Sequence, residues 1–140
     1  MIATSMDLGG INAQLDRLAA AAKASARKAA QAGAQVYYDE VRDRVPVSAK
    51  PHKSGKKTYT PGTLRRAVYQ AFVEDESGPD RATYRVSWNK SHAFYGRFVE
   101  FGTAKMAAKP FLRPAFDAAQ PRAISAVNAV LAADLKRAER

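Results

Sequence analysis

Glu74, Asp75, Glu76 and Asp80 crowd into seven positions and form the one carboxylate cluster that a metal-dependent nuclease could use. They separate two stretches rich in β-formers, where a solvated acidic turn is the simpler account. Ser54-Gly55-Lys56-Lys57 has a phosphate-loop flavour, yet it lacks the upstream glycine at the Walker spacing and no strand precedes it. His52 and His92 lie forty positions apart, so a zinc site would have to recruit scattered carboxylates. The 140 residues include no cysteine, which removes disulfides, thiolate metal sites and a cysteine nucleophile. GxSxG, HExxH and GxGxxG are all missing. No enzymatic activity, metal or cofactor is expected.

What the residues do offer is charge. Lys+Arg number 23 against 13 Asp+Glu, a net charge of +10, which points to a polyanionic neighbour. Lys50, Lys53, Lys56 and Lys57 fall in an acid-free segment, with Arg65 and Arg66 just beyond. Unopposed cations on a loop attract phosphate through counterion release without reading bases. A solvated loop that serves only solubility is the plain alternative. No helix-turn-helix spacing is visible, and the arginines spread along the whole chain.

Elements to position these groups can be read from spacing. Residues 1–10 are small and polar, a flexible start in which Asp7 could cap an early turn. The opening lacks a basic segment followed by an apolar one, so no secretory signal is expected. No apolar run approaches the roughly 20 residues of a membrane span. Residues 11–44 are proline-free, and apolar or small residues recur at steps of three and four, predicting a long helix. Its end is set by Val45-Pro46, because a residue before proline is pushed out of the α region. Residues 47–62 read as a basic loop. Thr63 is the expected N-cap of a short helix reaching about Val68. Val68–Glu74 and Arg81–Asn89 predict a hairpin, the second strand alternating cleanly. Residues 110–138 predict a C-terminal helix with a kink or restart at Pro121. The size suits a single domain over 1–140, with 63–104 holding the short helix, hairpin and aromatic segment.

Length raises a difficulty. A helix over 11–44 would be about 51 Å long at ~1.5 Å per residue. A 140-residue domain has a diameter of roughly 37 Å. The helix therefore breaks near Gly33 or projects, and its alanine-rich middle needs a close neighbour, which favours an oligomer.

Tyr95, Phe98 and Phe101 recur at helical spacing, predicting a short helix that ends at Gly102. Core packing is the expected role of Phe98 and Phe101. Glu100 is an acid inside this apolar run. If buried, it needs an arginine, lysine or backbone N–H partner, with Arg97 and Arg113 the nearest cations or an arginine of an adjacent subunit the alternative.

Tyr95-Gly96-Arg97-Phe98-Val99-Glu100-Phe101-Gly102-Thr103, a short linker, and Lys109-Pro110-Phe111-Leu112-Arg113-Pro114-Ala115 together resemble a tailed-bacteriophage family. Its members are the neck, or tail-completion, proteins that join head to tail in long-tailed phages. The family pattern is roughly Tyr-Ala-x-x-Val-Glu-Phe-Gly-Thr followed by Pro-Phe-Leu-Arg-Pro-Ala. Val45-Pro46 and Pro61-Gly62-Thr63-Leu64-Arg65-Arg66-Ala67-Val68 resemble its upstream region. There Gly62 and Thr63 stand in reversed order, and Gly96 replaces the usual alanine.

The resemblance spans about residues 8–138 and implies an α+β fold, with long N- and C-terminal helices on a small antiparallel sheet. It implies a virion protein, assembled in the host cytoplasm, that forms a homo-oligomeric ring of six or twelve copies. The implied partners are a head-closure or connector protein, a tail terminator or tail tube protein, and the DNA passing between them. Tyr95, Phe98, Glu100, Phe101, Gly102, Thr103, Pro110, Phe111, Leu112, Arg113 and Pro114 would form the family motif and subunit interface. Glu100 and Arg113 could pair within or between subunits. Lys50, Lys53, Lys56 and Lys57 would face the DNA channel or an adjacent ring. A small basic protein that binds nucleic acid without sequence preference is the competing class.

Overall fold

Alanine-rich and free of proline, the first third of the chain forms one helix, α1, over Leu8–Arg44. The computed structural model describes residues 8–140, so Asp7 and its expected cap lie outside the described residues. Beyond α1 come two three-residue strands, β1 (His52–Ser54) and β2 (Lys57–Tyr59), a short helix α2 (Thr63–Ala67) and strand β3 (Val68–Phe72). A 3-10 turn at Glu74–Glu76 leads to β4 (Tyr84–Trp88), then α3 (Gly96–Phe101) and α4 (Leu112–Ala138). The architecture is α+β: two long helices and two small antiparallel sheets, one pairing β1 with β2 and the other β3 with β4. In the larger sheet Val68 stands opposite Trp88 and Phe72 opposite Tyr84.

Residues 47–62 are not simply a loop. His52 pairs with Tyr59 and Ser54 with Lys57 across a tight turn in which Gly55 has φ 63°. Three-residue strands carry too few alternations to register as a period. Thr63 is not a cap either. Gly62 occupies that position at φ 83°, a left-handed conformation that a β-branched residue avoids. The reversed Gly62-Thr63 order follows from this backbone, and the Thr63 hydroxyl instead donates to the Thr60 carbonyl at 2.7 Å.

α1 does not break at Gly33. It runs antiparallel to α4, and the seam is built from small residues: Ala29, Gly33 and Ala34 on one helix, Ala115, Ala119 and Ala123 on the other. A Cβ at Gly33 would stand 2.8 Å from Val127 Cγ2, so the helices approach as closely as a bare backbone permits. The neighbour required by the alanine-rich middle thus comes from the same chain. Ion pairs flank the seam, with Arg122 reaching Glu40 at 2.6 Å and Lys28 reaching Asp134 at 3.5 Å. α4 does not restart at Pro121. Pro121 and Asp117 both lie on the exposed face, where water can satisfy the carbonyl that the missing N–H leaves free.

The apolar core sits at the C-terminal half of α1. Val41 and Phe111 are fully buried, joined by Val45, Leu64, Val68, Trp88 and Ala93. Trp88 and Phe111 meet edge to face at 5.7 Å. At 37 residues α1 is about 55 Å long. With Tyr37 stacked on Phe116 and Ser25 bonded to Asp134, α4 ends opposite about residue 20. The first turns of α1 therefore extend past it, and Leu8, Ile11 and Leu15 are exposed.

Candidate functional site

Glu100 is only 7% exposed and accepts three backbone N–H groups: Phe111 at 2.7 Å, Leu112 at 3.0 Å and Arg113 at 3.3 Å. These are the leading amides of α4, which no intrahelical carbonyl can satisfy. The next residue, Pro114, has no N–H to satisfy. One carboxylate from α3 thus caps the whole first turn of α4, at the end where negative charge is favoured. The neighbouring backbone adds a bond from the Lys109 N–H to the Val99 carbonyl at 2.7 Å.

Within the chain the partner of Glu100 is therefore backbone rather than Arg97 or Arg113. Among the described residues, neither Arg97 nor Arg113 forms an ion pair with it, and the Arg113 side chain is exposed. Gly102 closes α3 at φ 76°, and a Cβ there would lie 2.8 Å from the Ala108 nitrogen. Its N–H returns to the Phe98 carbonyl at 2.8 Å. Thr103 and Met106 then exchange backbone bonds at 2.9 and 3.3 Å, turning the linker back toward α4.

Gly96 faces Trp88. A Cβ on residue 96 would come within 2.5 Å of Trp88 Nε1, so the alanine of the family pattern has no room beside this tryptophan.

Tyr95 anchors the β1–β2 hairpin. His52 meets it edge to face at 4.8 Å, Tyr59 at 5.2 Å and Phe94 at 5.8 Å, while His52 stacks on Tyr59 at 5.1 Å. Burial pushes the Tyr95 phenol above its ordinary range, against the opposing pull of hydrogen bonding to Leu64 and Thr63. This aromatic cluster, which the spacing of Tyr95, Phe98 and Phe101 did not reveal, turns a basic loop into a braced platform. Lys50, Lys53, Lys56 and Lys57 sit exposed on it, and none forms an ion pair among the described residues.

Phe98 and Phe101 do not pack in the core. They are 44% and 73% exposed, because α3 turns its Gly96 and Glu100 face inward. Phe98 lines a cleft of about 530 Å³ with Val47, Tyr95, Val99 and Met106. Of the remaining motif residues, Phe111 is fully buried, Leu112 packs on the core, Pro114 is half-buried, and Thr103 and Pro110 are exposed.

Two residues outside the motif also matter, and no sequence signal marked them. Glu40 binds Arg44 and Arg122, both at 2.6 Å, and the bond from Arg44 leads in holding its carboxyl below the usual range. The Ser25 hydroxyl does the same for Asp134, helped by Lys28 and Arg137.

The acidic cluster builds no metal site. Among the described residues no three His, Cys, Asp or Glu side chains gather as metal ligands. Glu76 pairs with Arg85 at 3.4 Å and Asp80 with Lys23 at 3.3 Å. Among the same residues no helix is long and apolar enough to cross a membrane.

A family model described as Bacteriophage HK97-gp10, putative tail-component, matches residues 10–102. That range takes in α1 from Gly10, both sheets and the first motif block as far as Gly102, while Thr103 and the Lys109–Ala115 block lie beyond it. No curated protein and no solved structure matches the chain at significance.

Proposed function

The chain belongs to the HK97-gp10-like family of bacteriophage tail components, and we propose that it serves in the neck of a tailed phage or prophage, as one copy of a ring joining head to tail around the DNA channel. The observation that carries this reading beyond the family is the braced basic hairpin. Four lysines, unpaired among the described residues, stand on and beside this hairpin, Lys53 and Lys57 in its strands, Lys56 in its turn and Lys50 just before it, and Tyr59 of the hairpin packs on Tyr95. A rigid cationic surface without base-reading side chains accepts phosphate of any sequence, as a DNA conduit requires. Six or twelve copies form the ring. A head-closure or connector protein lies on one side, and a tail terminator or tail tube protein on the other.

Imaging of purified particles that carry a tagged copy tests the assignment. The tag is expected at the head–tail junction; a tag along the tube or at its tip overturns it. A Lys53→Ser, Lys56→Ser, Lys57→Ser variant then tests the hairpin. It is expected to fold normally and to lower the yield of joined particles or DNA ejection, and unchanged joining and ejection remove the hairpin from the channel. Isolated protein that holds duplex DNA with a steep salt slope, and is missing from particles, selects the free DNA-binding class instead.

A further inference from the structure

The β3–β4 sheet has two strands among the described residues, so each strand turns one edge away from its partner. The register fixes which peptide groups lie on those edges. Just outside the paired residues the Val73 N–H donates to the Thr83 carbonyl at 2.9 Å and the Asn89 N–H to the Ala67 carbonyl at 2.8 Å. Peptide direction alternates along a strand, so Arg85 and Ser87 also point into the sheet, whereas Tyr84 and Val86 turn their N–H and C=O groups out of the β4 edge. Among the described residues nothing bonds those four groups.

An apolar groove of about 290 Å³ lies beside that edge, between β4 and α4. Tyr84 and Val86 form one wall, and Phe116, Ile124 and Val127 the other. The floor is α1, where Ala30, Gly33 and Ala34 are too small to fill the space, and no lining residue is charged. Phe116 and Ile124 are 45% and 51% exposed, although α4 buries Ala115, Ala119 and Ala123. The β3 edge is different. Its Val68 N–H is taken by the Arg65 carbonyl, and the crevice that adjoins β3 is lined by Arg27, Glu74, Asp75 and Arg85.

A row of unpaired peptide groups in front of an apolar groove fits a strand. A helix has spent its main-chain groups on itself and would leave the edge unpaired. The geometry points to β4 as an acceptor edge, to which an extended segment of another polypeptide adds as the third strand of the sheet. Residues of that segment opposite Tyr84 and Val86 turn the same way as they do, over Ala30 and Ala34 and against Ile124, so they are apolar. The residue between them stands beside Arg85 on the outer face, where an acid is favoured, since Arg85 is held only by an exposed contact with Glu76 at 3.4 Å. The segment recognised therefore alternates apolar side chains with an acid. A third strand also supplies what a lone pair of strands lacks for stability. This surface is separate from the basic hairpin and does not depend on the ring reading.

A short blocked peptide that alternates valine with glutamate serves as the probe, and amide exchange of the full chain as the readout. At saturation the Tyr84 and Val86 amides are expected to exchange about tenfold or more slowly, while Arg85 and Ser87, already bonded to β3, change little. Ile124→Asp puts a charge on the exposed wall of the groove. It should melt like the parent and bind the peptide about tenfold or more weakly. A peptide of the same composition, with its valines and glutamates in separate blocks, should leave the edge unprotected. The assignment is overturned by an alternating peptide that does not bind, by binding that leaves Tyr84 and Val86 unprotected, or by undiminished binding to Ile124→Asp. A valine–lysine peptide that binds as tightly strikes the acid from the recognised segment. Edge amides protected without peptide, with a native mass above the monomer that Ile124→Asp lowers, would give the groove to a second copy and overturn the partner strand. Particle labelling judges the neck assignment separately.

Discussion

The Glu100 carboxylate and the Phe111 N–H meet at 2.7 Å, a bond that ties α3 to the start of α4 across eleven positions. The same carboxylate takes the Leu112 and Arg113 amides, so both motif blocks converge on one capping contact. Val-Glu-Phe-Gly delivers the acid and a left-handed stop. Pro-Phe-Leu-Arg-Pro delivers a buried ring, three amides and a residue with no amide to satisfy. The spacing between blocks is what the returning linker needs.

Glu100→Ala is expected to lower stability by about 2–4 kcal/mol, since three first-turn amides lose their acceptor in a largely buried setting. Glu100→Gln keeps one acceptor and loses the charge at the helix N-terminus, so it should fall between the two. Urea unfolding measures both. A loss under about 0.5 kcal/mol for the alanine variant would show that water replaces the carboxylate without cost.

Gly96→Ala should destabilise the protein by about 1–3 kcal/mol, because the new methyl overlaps Trp88. Trp88→Leu removes the indole atoms that block it. In that background the alanine should cost much less, or become favourable through its better helix propensity. A double-mutant cycle reads the coupling, and additive effects would mean the Gly96–Trp88 fit is not what excludes alanine.

Acid should weaken the union of α1 and α4. Glu40 and Asp134 are both held below their usual range by partners across or beside the seam. A carboxyl that is more acidic when folded contributes its stabilisation above the ordinary carboxylate range, about pH 4, and loses it as pH falls through the folded value. The difference in urea midpoint between the parent and a Glu40→Gln, Asp134→Asn variant should therefore shrink between pH 7 and pH 3. A difference that stays constant with pH would assign these side chains to packing alone.

Long elements were legible because their causes are distributed. Thirty-seven residues without proline, and alternation through Tyr84, Val86 and Trp88, each repeat a signal many times. The β1–β2 hairpin was missed because its pairing rests on three residues a side and on Phe94 and Tyr95, rings brought in from the segment just before α3. Phe98 and Phe101 looked like core, yet the inward face of α3 belongs to Gly96 and Glu100, a choice made by Trp88 and by α4. The need of Glu100 for a partner could be read from its type. Which partner it finds depends on the Lys109–Val99 turn, and that turn is tertiary.

The small-residue seam also bears on synthesis. From the end of α1 to the end of α4 a ribosome adds 94 residues, which takes roughly 5–20 s. Throughout that interval the Ala29–Gly33–Ala34 face of α1 waits without its cover. A leucine seam would offer a broad adhesive stripe to every other nascent chain. Methyl groups and a bare backbone offer little area to a wrong partner, and only a helix equally narrow can come close enough to stay.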